Sequence, residues 1–141
     1  MKDLLLGLTV LISISSFANN IKYSNEDGCS VEQEQRANGV VLYVTKGDEK
    51  EVVGYGNDYS FGDFSYCAEG YTDIHTFEGS QGLGIMISCS GHVNGHKTTR
   101  GRVDISIMGE QLSEVKIDGQ IKGFFGWKQD VKLECLNLVQ E

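Results

Sequence analysis

The chain has 141 residues and a formal net charge of −8, with 23% of its residues charged and no proline. That length suits one domain around a single core. The acidic balance repels phosphate backbones and excludes nucleic acid as a partner class.

Residues 1–18 read as a secretory leader. Lys2 supplies a positive start, Leu4 to Ile14 form an apolar run, and Ser16 and Ala18 are small residues before a cleavage site at Asn19. The run is shorter than the ~20 apolar residues a spanning helix needs. The expectation is a cleaved signal peptide, export to the periplasm or cell exterior, and no stable membrane insertion afterwards. Loss of Lys2 and Asp3 with the leader leaves the net charge unchanged.

Residues 19–37 are polar and carry Glu26, Asp27, Glu32 and Glu34. They predict an N-terminal arm or a short helix, ahead of an antiparallel β domain over 38–141. Val40 to Val44 is β-branched and apolar. The charged run Lys46 to Lys50 and then Val52-Val53 follow, which reads as strand, turn and strand.

Residues 54–79 alternate glycine and aromatics irregularly, predicting one or two short strands between loops. Tyr55, Tyr59, Phe61, Phe64 and Tyr71 are candidate binding residues, since tyrosine on a loop offers contact area at low entropy cost. The competing reading places the same rings in the core, because a domain this size needs its large side chains inside.

The last third alternates most clearly. Leu83 to Val93, Arg102 to Ile107, Glu114 to Gly123 and Val131 to Cys135 each place apolar residues or glycine at odd positions and mainly polar ones at even positions. These are half-buried strands with one wet face. Asp118-Gly119 looks like a hairpin turn, but the alternation runs through it, so Gly119 is read as strand interior in a bend or close contact. Gly119 and Gly123 both fall on the buried parity.

Paired antiparallel strands that bury odd residues need pair sums that are even, hence odd loops. A loop Gly109-Glu110-Gln111 pairs Ile105 with Val115 and Val103 with Ile117. A loop Trp127-Lys128-Gln129 pairs Gly123 with Leu133 and Ile121 with Cys135. The fold class expected is all-β, a single antiparallel meander of about seven to eight strands, closed as an up-and-down barrel or stacked as a sandwich.

The run His92-Val93-Asn94-Gly95-His96 is a hairpin tip. A three-residue loop keeps the parity and sets His92 against His96, where two imidazoles could share a metal. A site needs at least a third ligand, which the sequence does not name. Two solvated histidines are the plainer reading. The acids around Asn25-Glu26-Asp27 and Asn57-Asp58 do not match a calcium loop. Lys97, Arg100 and Arg102 read as a solvated strand face. There is no G-x-S-x-G elbow and no C-x-x-C pair, so no catalytic residue and no cofactor are assigned.

Cys29, Cys67, Cys89 and Cys135 form an even set in a chain expected to be exported, which predicts disulfides. Shared parity favours Cys89–Cys135, leaving Cys29–Cys67. The shorter Cys67–Cys89 closure is the alternative. The function expected is that of an exported, non-enzymatic binding protein for a macromolecular partner, with a loop or strand face as its surface. The alternatives are a small-molecule carrier with a cavity inside a barrel and, behind it, a metal-binding enzyme.

Overall fold

A computed structural model describes residues 20–67 and 71–141. The leader expected over 1–18 lies outside the described residues. Among the described residues, eleven strands form two antiparallel sheets. The first sheet contains β1 (Asn20–Ser24), β2 (Cys29–Arg36), β3 (Gly39–Lys46), β4 (Glu49–Gly56), β5 (Gly62–Phe64) and β11 (Val139–Gln140), in the order β11-β1-β2-β3-β4-β5. The second contains β6 (Tyr71–Gly79), β7 (Gly82–Val93), β8 (His96–Met108), β9 (Gln111–Gly123) and β10 (Gly126–Cys135), in the order β10-β9-β8-β7-β6.

Every strand pairs with its neighbour in sequence except where the chain changes sheets, at β5 to β6 and at β10 to β11. No ladder among the described residues closes these two seams, so the meander is a sandwich and not a closed barrel. Inner residues of both sheets, among them Leu42, Val53, Ile87, Val103 and Ile117, share one core.

The segment expected as a polar arm or helix is instead β1 and β2. Tyr23 and Val31 face each other across that pair and are both buried. Between the two strands, Asn25 Oδ1 accepts hydrogen bonds from the backbone N–H groups of Asp27 and Cys29, a local turn bond that polar residues favour. The carboxamide of Asn25 thus closes a turn. Likewise Asp58 accepts hydrogen bonds from both the N–H and the hydroxyl of Ser60.

The expected β8–β9 pairing is present, with Val103 opposite Ile117 and Ile105 opposite Val115. The route to it differs. Each of the three long hairpins of the second sheet turns in two residues: Asn94-Gly95, Gly109-Glu110 and Phe124-Phe125. Each ladder then shifts register once, at Gly91/His92, Ser106/Ile107 and Gln129/Val131. A two-residue turn plus one bulged residue changes the pair sum by the same single step as an odd loop, so apolar partners still meet.

The β9–β10 register expected from a Trp127-Lys128-Gln129 loop is overturned. Leu133 pairs with Ile117 and Cys135 with Val115, because the turn falls at Phe124-Phe125. Both registers satisfy parity, which constrains faces and leaves slips by an even number of residues open.

The disulfides are Cys29–Cys135 and Cys67–Cys89, with Cα separations of 5.7 and 5.1 Å. The favoured pairing was therefore wrong. Cys89 on β7 and Cys135 on β10 do share the inner face, but β8 and β9 lie between them. Three strand spacings of ~4.8 Å exceed the ~7 Å limit for bridged Cα atoms. Each bond instead spans a seam: Cys29–Cys135 ties β2 to β10, and Cys67–Cys89 ties the crossover before β6 to β7. Two disulfides fit an oxidising extracellular or periplasmic location. No helix among the described residues is long and apolar enough to cross a membrane.

Candidate functional site

The aromatic candidates separate into two groups. Tyr55 is 4% exposed and Phe64 is buried, so both belong to the core. Tyr59 packs partly buried against it, with its ring centroid 6.2 Å from that of Tyr55. Phe61 is 44% exposed and Tyr71 is 73% exposed. The segment therefore does not present one aromatic surface: Tyr55 and Phe64 serve packing, and Tyr71 is the ring that stands clear.

The histidines do not meet as expected. Val93 pairs with His96 and His92 with Lys97, around a two-residue Asn94-Gly95 turn whose φ angles are 51° and 79°. Two successive positive φ angles suit an Asn-Gly hairpin. Facing residues share a side and neighbours alternate, so the two imidazoles leave on opposite faces. Among the described residues there is no group of three or more His, Cys, Asp or Glu placed to hold a metal ion. His92 instead packs edge-on against Tyr71, with centroids 4.9 Å apart, and its Nε2 lies 3.1 Å from Ser90 Oγ. A catalytic triad also needs a third group that orients the base. Ser90 is the hydrogen-bond partner of the His92 side chain among the described residues.

The glycines that a carrier would need as interior space are occupied or outside. A Cβ on Gly119 would lie 2.5 Å from ring atoms of Tyr66 and 2.8 Å from Val131. Gly123 sits exposed beside the Phe124-Phe125 turn. Among the described residues, an open groove of about 510 Å³ lies beside the β6–β7 turn, lined in part by Phe77, Leu83 and Met108.

What the sequence reading missed lies at the opposite end of the second sheet. Strands β7 and β9 run in the same direction, each antiparallel to β8, so the turns Asn94-Gly95 and Phe124-Phe125 project from the same end. Phe124 is 96% exposed and Phe125 99% exposed, and their rings meet edge to face at 5.0 Å. Nothing else among the described residues covers them. Trp127 pairs across with Lys122 on the outer face. Arg100 lies over the Trp127 ring at 4.5 Å, with Lys97 Nζ at 5.8 Å. Arg100 also donates to the carboxamide oxygen of Gln120.

The three basic residues read as a solvated face therefore differ from one another. Arg102 is paired with Asp104 at 2.9 Å on its own strand, whereas Arg100 and Lys97 gather at Trp127. Lys122 and Lys128, both exposed, flank the Phe-Phe turn. The signal that would have located this end is the spacing Gly123-Phe124-Phe125-Gly126. Two phenylalanines between glycines follow neither strand alternation nor turn chemistry.

The fold and this end together define an antiparallel, disulfide-braced β-sandwich that carries an exposed aromatic and cationic hairpin end. Comparison of the chain with protein-family models, with curated proteins and with solved structures finds no match in any of the three.

Proposed function

We propose that this is an exported, non-enzymatic binding protein that engages a macromolecular partner through the hairpin end of its five-stranded sheet. The observation that carries this reading is the pair Phe124 and Phe125, exposed by 96% and 99% on a turn that needs neither ring. Apolar area left in water on a folded chain is characteristic of contact surfaces. Trp127 and Arg100 beside it are residue types enriched where binding energy concentrates. Tyr71 widens the aromatic area on the same outer face, next to His92. The apolar leader with its small-residue cleavage site, and the two disulfides, support export.

The test compares the chain from Asn19, immobilised, with the same chain carrying Phe124→Ser, Phe125→Ser and Trp127→Ala. Both are incubated with cell-envelope extract, and bound protein, polysaccharide and lipid are quantified. The reading expects material retained by the first and lost by the second. Equal retention by both would overturn it. Tyr55 is unsuited to such a test, because its ring is buried and its removal would disturb the core.

A further inference from the structure

We infer that the Phe124-Phe125 turn is a reversible docking tip for an anionic lipid surface, a reading that rests on the binding function proposed above and names its partner. The first support is shape. A protein partner holds an aromatic anchor in a pocket of matching form. Two rings that meet each other and almost nothing else among the described residues, on a two-residue turn that projects beyond the strands, need only a deformable apolar phase.

The second support is charge. The chain carries a net charge of −8, yet the tip lies between Lys122 and Lys128, with Lys97 and Arg100 on the adjoining strand. An acidic protein is repelled from an anionic surface in most orientations. A cationic end reverses that locally and fixes which end approaches.

The third support is the placing of Trp127, the chain's single tryptophan, beside the tip. Its amphipathic ring suits the headgroup level, just outside the apolar layer that Phe124 and Phe125 would enter. The exposed Val93 stands on the neighbouring hairpin at the same end. The contact is peripheral: the sheets stay in water, and only the turn and its flanking cations meet the bilayer.

The chain from Asn19 retains every described strand and both disulfides, and it lacks the apolar leader that would itself bind lipid. It is sedimented with vesicles of phosphatidylcholine alone and with vesicles containing phosphatidylglycerol in equal part, at low and high salt. Trp127 emission is recorded in parallel. The inference expects binding to the phosphatidylglycerol vesicles, weakened by salt, with a blue shift of Trp127. Phe124→Ser with Phe125→Ser should lower partition by roughly tenfold or more. Lys122→Gln and Lys128→Gln should each lower it by about fivefold. Circular dichroism of each variant confirms the fold. Absence of phosphatidylglycerol-dependent binding, or binding that the phenylalanine changes leave intact, overturns the inference. If vesicles fail while lipid-free envelope extract yields a protein whose capture needs Phe124 and Phe125, the lipid surface is refuted and the binding function stands. If both fail, both readings fall.

Discussion

Gly101 and Gly119 face each other across β8 and β9, and the bare patch they make on the inner face is covered by two aromatic rings, Phe64 at the end of β5 and Tyr66 in the crossover between the sheets. A Cβ on Gly101 would lie 2.8 Å from the Phe64 ring, and one on Gly119 would lie 2.5 Å from the Tyr66 ring. The two rings tilt against each other with centroids 5.0 Å apart. Thr99 donates a 2.7 Å hydrogen bond to the Tyr66 carbonyl, and the Tyr66 phenol donates to Asp130 on β10. The Cys67–Cys89 bond follows directly in the chain. The crossover is thus fixed by ring packing, hydrogen bonds and a covalent link within the four residues from Phe64 to Cys67.

Gly119→Ala should therefore destabilise the fold. A methyl group there must displace the Tyr66 ring or part the sheets, and overpacking of this kind costs about 1–3 kcal/mol. Urea denaturation with tryptophan fluorescence would measure it. An unchanged midpoint would show that the ring is not seated on Gly119.

Tyr66→Phe should cost about 1.5 kcal/mol, the contribution of a partly buried hydrogen bond to a charged acceptor. The ring itself remains on its glycine shelf, so the loss reports the bond to Asp130 alone. Asp130→Asn in the same background should add little, since the two residues share one interaction. Additive losses in the double variant would contradict that coupling.

The two disulfides should contribute unequally. Cys29–Cys135 closes a sequence separation of 106 residues and Cys67–Cys89 one of 22. On the chain-entropy account these correspond to about 5 and about 3 kcal/mol, respectively. Replacing Cys29 and Cys135 together by serine should lower stability more than replacing Cys67 and Cys89. Peptide mapping without reductant should show these two links and no Cys89–Cys135 peptide.

Stability should fall in strong alkali. Burial, with the neighbouring Tyr59 and Tyr23 adding to it, pushes the Tyr55 phenol from its ordinary 10.0 up to about 12. Burial and then the hydrogen bond to Asp130 also raise that of Tyr66. A raised folded pKa means that the native state keeps a proton the unfolded chain has released. The stabilisation is complete below about pH 10 and is lost as pH rises through about 12. Urea midpoints taken across that window should decline, and Tyr55→Phe should make the decline shallower. A slope identical to wild type would place the Tyr55 ring in water.

Phe124→Ser with Phe125→Ser should leave stability within about 0.5 kcal/mol of wild type, as is usual for surface positions outside any packing or hydrogen-bond network. Gly126, with φ of 126°, carries the unusual backbone conformation at this turn, and the phenylalanines carry none. A loss above about 2 kcal/mol would mean that the rings pack on the chain and are not free for a partner.

Alternation alone determined that the chain is built of antiparallel strands, which residues of β7, β8 and β9 point inward, and that Val103 meets Ile117 and Ile105 meets Val115. Those facts are local: side chains alternate sides, and a buried face forces its partner's parity. Where alternation faded, strands were expected without bounds, as over 54–79, or not expected at all, as over 19–37. β6 has Ile74 as its partly buried residue and is otherwise exposed, so its nine residues carried no periodic signal. β1 and β2 were masked by their polar outer faces. Tertiary structure alone decided the rest. Parity gives a face but not a place in the sheet order, so it could not see that two strands separate Cys89 from Cys135. It tolerates an even slip, so it could not choose between a turn at Trp127-Lys128-Gln129 and one at Phe124-Phe125. That choice decided whether two phenylalanines lie within a strand or stand in water, because only the lateral order of strands and the bulges between them fix which residues reach the end of a sheet.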